Sequence, residues 1–263
     1  LRIFKVLTAL LDRTGLWVLR ALEQIGDFTV LGGRTFRAVF KRPFDGANLM
    51  RQYLAVGVNS VPVVLMTSLA VSMVFGAQLH FGFKQFQAEG LAAQVLGIAI
   101  VRELAPVITG LMLAGRVGSA MAAELGTMQV TEQVDALECL ATDPVQFLFV
   151  PRMLAGAVML PLLTGLSIYV GYWGGHLLLV SVEGYSAIAY SQEFYKLVQG
   201  RDLIIALTKA LVFGLIISLV GCWKGYRTFG GAEGVGNAPT SSVVTSYVWI
   251  LVADFLLTMM LLV

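Results

Sequence analysis

Four charged residues stand inside long apolar stretches of this 263-residue chain: Arg102 and Glu103 side by side, Lys209 and Asp254 each alone. A charge at the centre of a bilayer is disfavoured by roughly 2.5–3.5 kcal/mol even on insertion scales, so each of the four needs a partner or a water-filled space. Two chemistries fit: the lining of a polar cavity or ion path, or salt bridges that hold helices together. Successive residues on a helix point about 100° apart, so Arg102 and Glu103 are expected to find different partners. Counting 1.5 Å per residue from the expected span ends puts Lys209 roughly 9 Å and Asp254 roughly 10 Å below one membrane boundary, with Arg102 and Glu103 about a turn deeper. Opposite charges at matched depth predict a Lys209–Asp254 pair with Glu103 or Arg102 beside it.

No catalytic constellation is read elsewhere, so the catalytic, metal and cofactor assignments are none. Gly230 to Gly236, GGAEGVG, lacks the GxxxxGK[ST] order that cradles nucleotide phosphates, and is expected to be part of a glycine-rich loop ending near Pro239. His80 and His176 are isolated, without HExxH spacing, and there is no GxSxG elbow. Ser119 has no partnered base and is read as a helix-packing serine. Cys139 and Cys222 lack metal-ligand spacing and are expected to be free thiols. No nucleic-acid motif accompanies the basic N-terminal region.

The elements that position these residues belong to a membrane. The chain is 57% hydrophobic and 13% charged, with a mean hydropathy of +0.81, outside the range of ordinary soluble domains. The reading is an all-α integral membrane protein, one domain over 1–263, with apolar spans near 53–75, 91–113, 154–177, 203–223 and 241–263. Pro62 is expected to kink the first span. Leu1 to Arg51 carries nine Lys/Arg against four acids, interleaved with Phe4, Leu7, Leu10, Leu11, Trp17, Val18 and Leu22. Residues 1–45 are therefore expected to hold an amphipathic helix in the headgroup region, with Arg13 and Arg20 near the surface and a turn at Pro43–Gly46. The chain opens on Leu1 rather than Met, so a few preceding residues are expected, and no signal peptide is read. Phe81, Phe83 and Phe86 suit an interfacial connection over Phe75–Glu89, anchoring the chain or touching lipid tails. Glu183–Asp202 is expected to be a polar loop on the same side. Gly156, Gly165, Gly171, Gly174 and Gly175 suit close helix packing in the third span.

Between the second and third spans the chemistry changes. Gly115, Gly118, Ser119, Ala120, Ala122, Ala123 and Gly126 form a small-residue run that lets helix backbones approach. Val130, Val134, Leu137 and Leu140 then recur at helical spacing, with Glu132, Asp135 and Glu138 between them. Thr131 is expected to cap this short acidic helix, and Asp143-Pro144 to end it. On periodicity alone it is a surface helix tying two spans together.

The stretch GRVGSAMAAELGTMQVTEQVDALECLATDP, followed by Pro151-Arg152, closely resembles the signature of MlaE-type permeases, the membrane subunits of lipid-transporting ABC systems that work with MCE-domain proteins. A departure is ATDP, where many relatives carry a glycine. The resemblance runs less densely along the whole chain. It implies that 127–143 is a coupling helix, with Glu132, Asp135, Ala136, Leu137 and Glu138 contacting a cytoplasmic ABC ATPase. It also implies a homodimer with two ATPases and a periplasmic ring of MCE-domain subunits, phospholipid as the cargo, a lipid cavity at the twofold axis, and a part in outer-membrane lipid asymmetry. The N-terminal region, the 114–152 connection and the 224–240 loop hold thirteen Lys/Arg, against Lys84, Lys196 and Arg201 in the opposite loops. Positive-inside then puts the N-terminus and the acidic helix in the cytoplasm and the C-terminus in the periplasm, as a multi-pass protein of the bacterial inner membrane. The competing class is a secondary transporter or channel using Arg102, Glu103, Lys209 and Asp254 as an ion path.

Overall fold

The computed structural model describes residues 19, 22, 23, 25–40, 46–88 and 90–262, and every regular element among them is helical. The chain divides into two compact units, Leu1–Phe44 and Asp45–Val263. In the first, α1 covers 25–38 and presents Ile25, Val30 and Phe36 to the outside, with Phe40 just beyond it. Phe4, Leu7, Leu10, Leu11, Arg13, Trp17, Val18 and Arg20, and Pro43–Asp45 of the expected turn, lie outside the described residues.

The second unit runs α2 (Gly46–Val56), α3 (Val61–Lys84), α4 (Gly90–Ala99), α5 (Ala105–Leu113), α6 (Ser119–Val130), α7 (Gln133–Cys139), α8 (Val150–Ser181), α9 (Ala187–Lys196), α10 (Gly200–Tyr226) and α11 (Gly231–Leu262). Among the described residues, five stretches are long and apolar enough to cross a membrane: Gly46–Lys84, Gly90–Val130, Val145–Ser181, Gly200–Tyr226 and Gly231–Leu261. The first four contain the expected spans 53–75, 91–113, 154–177 and 203–223, and the fifth overlaps 241–263. Helix α8 packs on α3 and α10, and α10 on α6 and α11. On α3 the buried residues are Val64, Ser68, Ser72, Gly76 and His80, one stripe at four-residue spacing, while Met66 and Val74 of the same helix are exposed. Small residues inside and bulky apolar ones outside are the arrangement of a helix solvated by lipid, where close backbone approach supplies the packing energy.

Prolines set the breaks. Pro62 does not kink a continuous helix: α2 ends at Val56, a 3-10 turn covers Val58–Ser60, and Pro62 sits in the first turn of α3, where a missing N–H leaves no bond unmade. Pro106 and Pro151 likewise open α5 and α8, each directly after a π-helical turn, Ile100–Leu104 and Val145–Phe149. A third π-turn, Ala114–Gly118, joins α5 to α6.

Four expectations change. The glycine-rich stretch Gly230–Pro239 is helical from Gly231 and begins α11, with Pro239 inside it; Gly230 and Gly231 supply the left-handed turn (φ 89° and 67°) that lets the helix start there. Glu183–Asp202 is not all loop but contains α9, whose Tyr190 and Phe194 are buried. The Phe75–Glu89 connection is mostly the last turns of α3, leaving a short turn after Lys84. Gly165 packs against nothing within 4 Å of where a Cβ would stand. The small-residue run does pack: a Cβ on Gly221 of α10 would lie 2.9 Å from Gly118 O, and one on Gly225 would lie 2.8 Å from Ala122 O.

Candidate functional site

Five charged side chains from three helical stretches meet inside the bundle. Lys209 of α10 is fully buried; its Nζ donates to Glu103 Oε2 at 2.8 Å and to Arg102 O at 3.2 Å. Asp254 Oδ1 of α11 lies 3.0 Å from the same ammonium. Arg102 turns the other way, Nε donating to Asp202 Oδ1 at 2.8 Å. Asp202 is itself fixed by the start of α10, where its Oδ2 accepts from Gln199 N at 2.8 Å in a capping box. Thr258 Oγ1 of α11 lies 3.4 Å from Glu103 Oε1. The expected Lys209–Asp254 contact is present, Arg102 and Glu103 do take different partners, and Glu103 is the closer of the two acids to Lys209.

The π-turn explains this geometry. Pro106 has no N–H for the carbonyl four residues before it, which is Arg102 O, and that oxygen is the one Lys209 occupies. Sequence reasoning missed Asp202, assigned to a loop; its signal was the Gln199-x-x-Asp202 spacing at a helix start. Two cations stand against three carboxylates, and Glu103 and Arg102 keep 39% and 30% of their side chains exposed.

The acidic segment is arranged differently from the expectation. Thr131 ends α6, its hydroxyl donating to Thr127 O at 2.8 Å, so it is not the N-cap of the next helix. Glu132 takes that place in the left-handed region, φ 60°, and α7 covers only Gln133–Cys139. Ala141, φ 57°, makes the turn after it, the conformation a glycine adopts without strain. Asp143 Oδ1 accepts from Val145 N at 3.0 Å and opens the next helical stretch. Val134 is buried and Leu137 half-buried, but Glu132, Asp135, Ala136 and Glu138 are exposed, and Leu140 is 76% exposed. The Gly90–Val130 stretch is 41 residues, about 60 Å, twice the ~30 Å of a hydrocarbon core. Its two ends therefore cannot both lie in the membrane.

At the far end of α3, Phe81 and Phe86 are exposed and Phe83 half-buried. His80 Nε2 lies 3.1 Å from Glu183 Oε2. His176 sits among Tyr172, Trp173 and Tyr190. Helix α9 is tied to α4 through Gln94, which donates to Glu193. The Lys196 hydrogen bond, then Gln94, holds the Glu193 carboxyl below its ordinary value, and burial raises that of the Tyr190 phenol. Ser119 Oγ donates to Gly115 O of its own helix. Both cysteines are free.

Apolar spans around a paired-charge interior define a multi-pass helical membrane protein. The family model described as Permease MlaE matches residues 49–260, and the chain belongs to that family. It is 39% identical over 247 residues to a probable ABC transporter permease protein of Rickettsia typhi, covering 94% of this chain and 95% of the relative. A probable ABC transporter permease protein of Synechocystis is 42% identical, with 87% of each chain covered. The intermembrane phospholipid transport system permease protein MlaE of Haemophilus influenzae is 34% identical, with 91% of each covered. The chain is thus an ABC transporter permease, which implies a separate ATPase partner.

Proposed function

We propose that this permease moves phospholipid between the bacterial inner membrane and a periplasmic MCE-domain partner, as a homodimer driven by cytoplasmic ABC ATPases docked on 127–143. The observation that carries the docking is α7: Leu140 and Ala136 are exposed beside Glu132, Asp135 and Glu138 on a short helix beyond a 41-residue span. An apolar residue left open among acids suits a protein partner with a basic rim. The phospholipid cargo is supported by the family and by the Haemophilus relative, the permease of an intermembrane phospholipid transport system. The partly exposed Glu103 and Arg102 support a polar cavity beside α11 that a second copy would close, with Lys209, Asp254 and Asp202 setting its charge. Phe81, Phe83 and Phe86 would meet lipid tails at the outer rim. The N-terminus and α7 are cytoplasmic and the C-terminus periplasmic, on the distribution of Lys and Arg.

Reversal of Glu132, Asp135 and Glu138 to lysine together should release the ATPase in a pull-down and stop transport, with stability changed by no more than about 0.5 kcal/mol. Undiminished ATPase binding in that triple variant would remove the docking assignment.

A further inference from the structure

The segment that holds α7 is flanked by Glu124 of α6 and Arg152 of α8, and these two residues touch. Arg152 Nη2 lies 2.8 Å from Glu124 Oε2, and Nη1 donates to Leu148 O at 2.7 Å. The guanidinium is almost wholly buried, at 3% exposure, while Glu124 is 58% exposed. Arg152 Nε has no hydrogen-bond partner among the described residues, so this arrangement leaves the guanidinium one bond short.

Within the closed loop, the strain is concentrated at both ends of α7. Gln87, Glu132 and Ala141 are the non-glycine residues with positive φ among the described residues, and two of the three flank this seven-residue helix. A side chain in the left-handed region is held in a small well that its neighbours must over-determine. Glu132 and Ala141 thus bound α7 as a seven-residue body with a sharp turn at each end. The returning limb is fixed a second time. Pro151 has no N–H for Phe147 O, and Asn48 of α2 donates to that oxygen at 3.1 Å.

We propose that Arg152 is a positioning residue of the transport cycle: its ion pair with Glu124 closes the base of the α7 loop, so that displacement of α7 is delivered to α6 and α8 instead of being absorbed between them. This rests on the reading of α7 as the ATPase dock. Helix α6 then carries the motion along Gly118 and Ala122 to α10, and α8 carries it to α3 and α10. Both routes reach the helices that hold the ion network.

The test uses the complete transporter in proteoliposomes, reading bound ATPase, ATP turnover, melting temperature and transfer of a fluorescent phospholipid. Glu124→Gln removes an exposed charge. It should keep the ATPase bound and ATP turnover near wild type, and lower the melting temperature by a few degrees because the buried guanidinium loses its carboxylate. Lipid moved per ATP should fall about tenfold, within the usual range for coupling between sites. Glu124→Asp, which keeps the carboxylate, should restore most of the transfer. Arg152→Lys, with one ammonium in place of a fork, cannot hold Glu124 and Leu148 O in the same way and should fall between them. Normal transfer per ATP in Glu124→Gln overturns the proposal. So does a parallel loss of ATPase, melting temperature and transfer, which would mark the pair as structural only. The dock is tested separately by the triple reversal of Glu132, Asp135 and Glu138: an ATPase that stays bound there removes the dock, whereas a normal Glu124→Gln beside a released triple variant removes the clasp alone.

Discussion

Lys209 fills the place of a missing backbone hydrogen. The proline at 106 offers Arg102 O no N–H, and the ammonium that donates to that oxygen must also be neutralised, which Glu103 and Asp254 do at 2.8 Å and 3.0 Å. Lys209→Met should therefore be the most damaging single change in the network, costing about 3–5 kcal/mol because two carboxylates lose their cation. Melting of the detergent-solubilised protein reads it. Exchanging Lys209 and Asp254 alone would set a new carboxylate where Glu103 now reaches an ammonium, so that pair is expected to recover only part of the loss. The neutral triple Lys209→Met, Glu103→Gln, Asp254→Asn should recover most of it. If the triple melts near wild type but transports no lipid, the charges handle cargo; if it also transports, they only hold helices. The pairing was legible from sign and depth along the sequence. Asp202 was not, because a carboxylate that caps its own helix looks like a loop acid until the first turn is seen.

Helix contacts here are set by what is absent from glycine. A Cβ at Gly221 would meet Gly118 O at 2.9 Å, and backbone cannot step aside as a side chain can. Gly221→Ala should cost about 1–3 kcal/mol, whereas Gly165→Ala, with open space around it, should be neutral or stabilise by roughly 0.5–1 kcal/mol. Paired melting curves decide whether the α6–α10 crossing is as tight as described. Helix α9 gives a prediction in pH. Glu193 has its folded carboxyl value lowered, by Lys196 first and Gln94 second, so its contribution is present above the ordinary carboxylate value and is lost as pH falls through the lowered one. Protection of 187–196 from hydrogen exchange, taken relative to the intrinsic rate at each pH, should fall on acidification and do so less in Glu193→Gln. The five spans could be read from apolar length, since lipid demands it. The helix start at Gly231 and the whole of α9 could not: glycines and polar residues usually mark loops, and here tertiary packing outweighs that preference. The acidic helix was legible by period, but its cap was misplaced by one residue, because Thr131 spends its hydroxyl on the preceding turn.

For the whole molecule, the orientation and the docking face share a natural reporter. Cys139 is exposed at the end of α7, and Cys222 is buried inside α10. A membrane-impermeant maleimide should then modify one thiol and leave the other silent, without any engineered cysteine. With α7 cytoplasmic, Cys139 in intact spheroplasts should stay unlabelled and should react once inside-out vesicles expose that face. Labelling from outside would invert the topology and, with it, the ATPase assignment. The same thiol lies one position before Leu140, the apolar residue most open on the segment. A bound ATPase should therefore slow its modification in the complete transporter relative to the permease alone, and the triple reversal of Glu132, Asp135 and Glu138 should abolish that protection. Equal labelling with and without the ATPase would mean that the partner sits elsewhere, because a face that receives a protein cannot keep its edge thiol as reactive as in free solution.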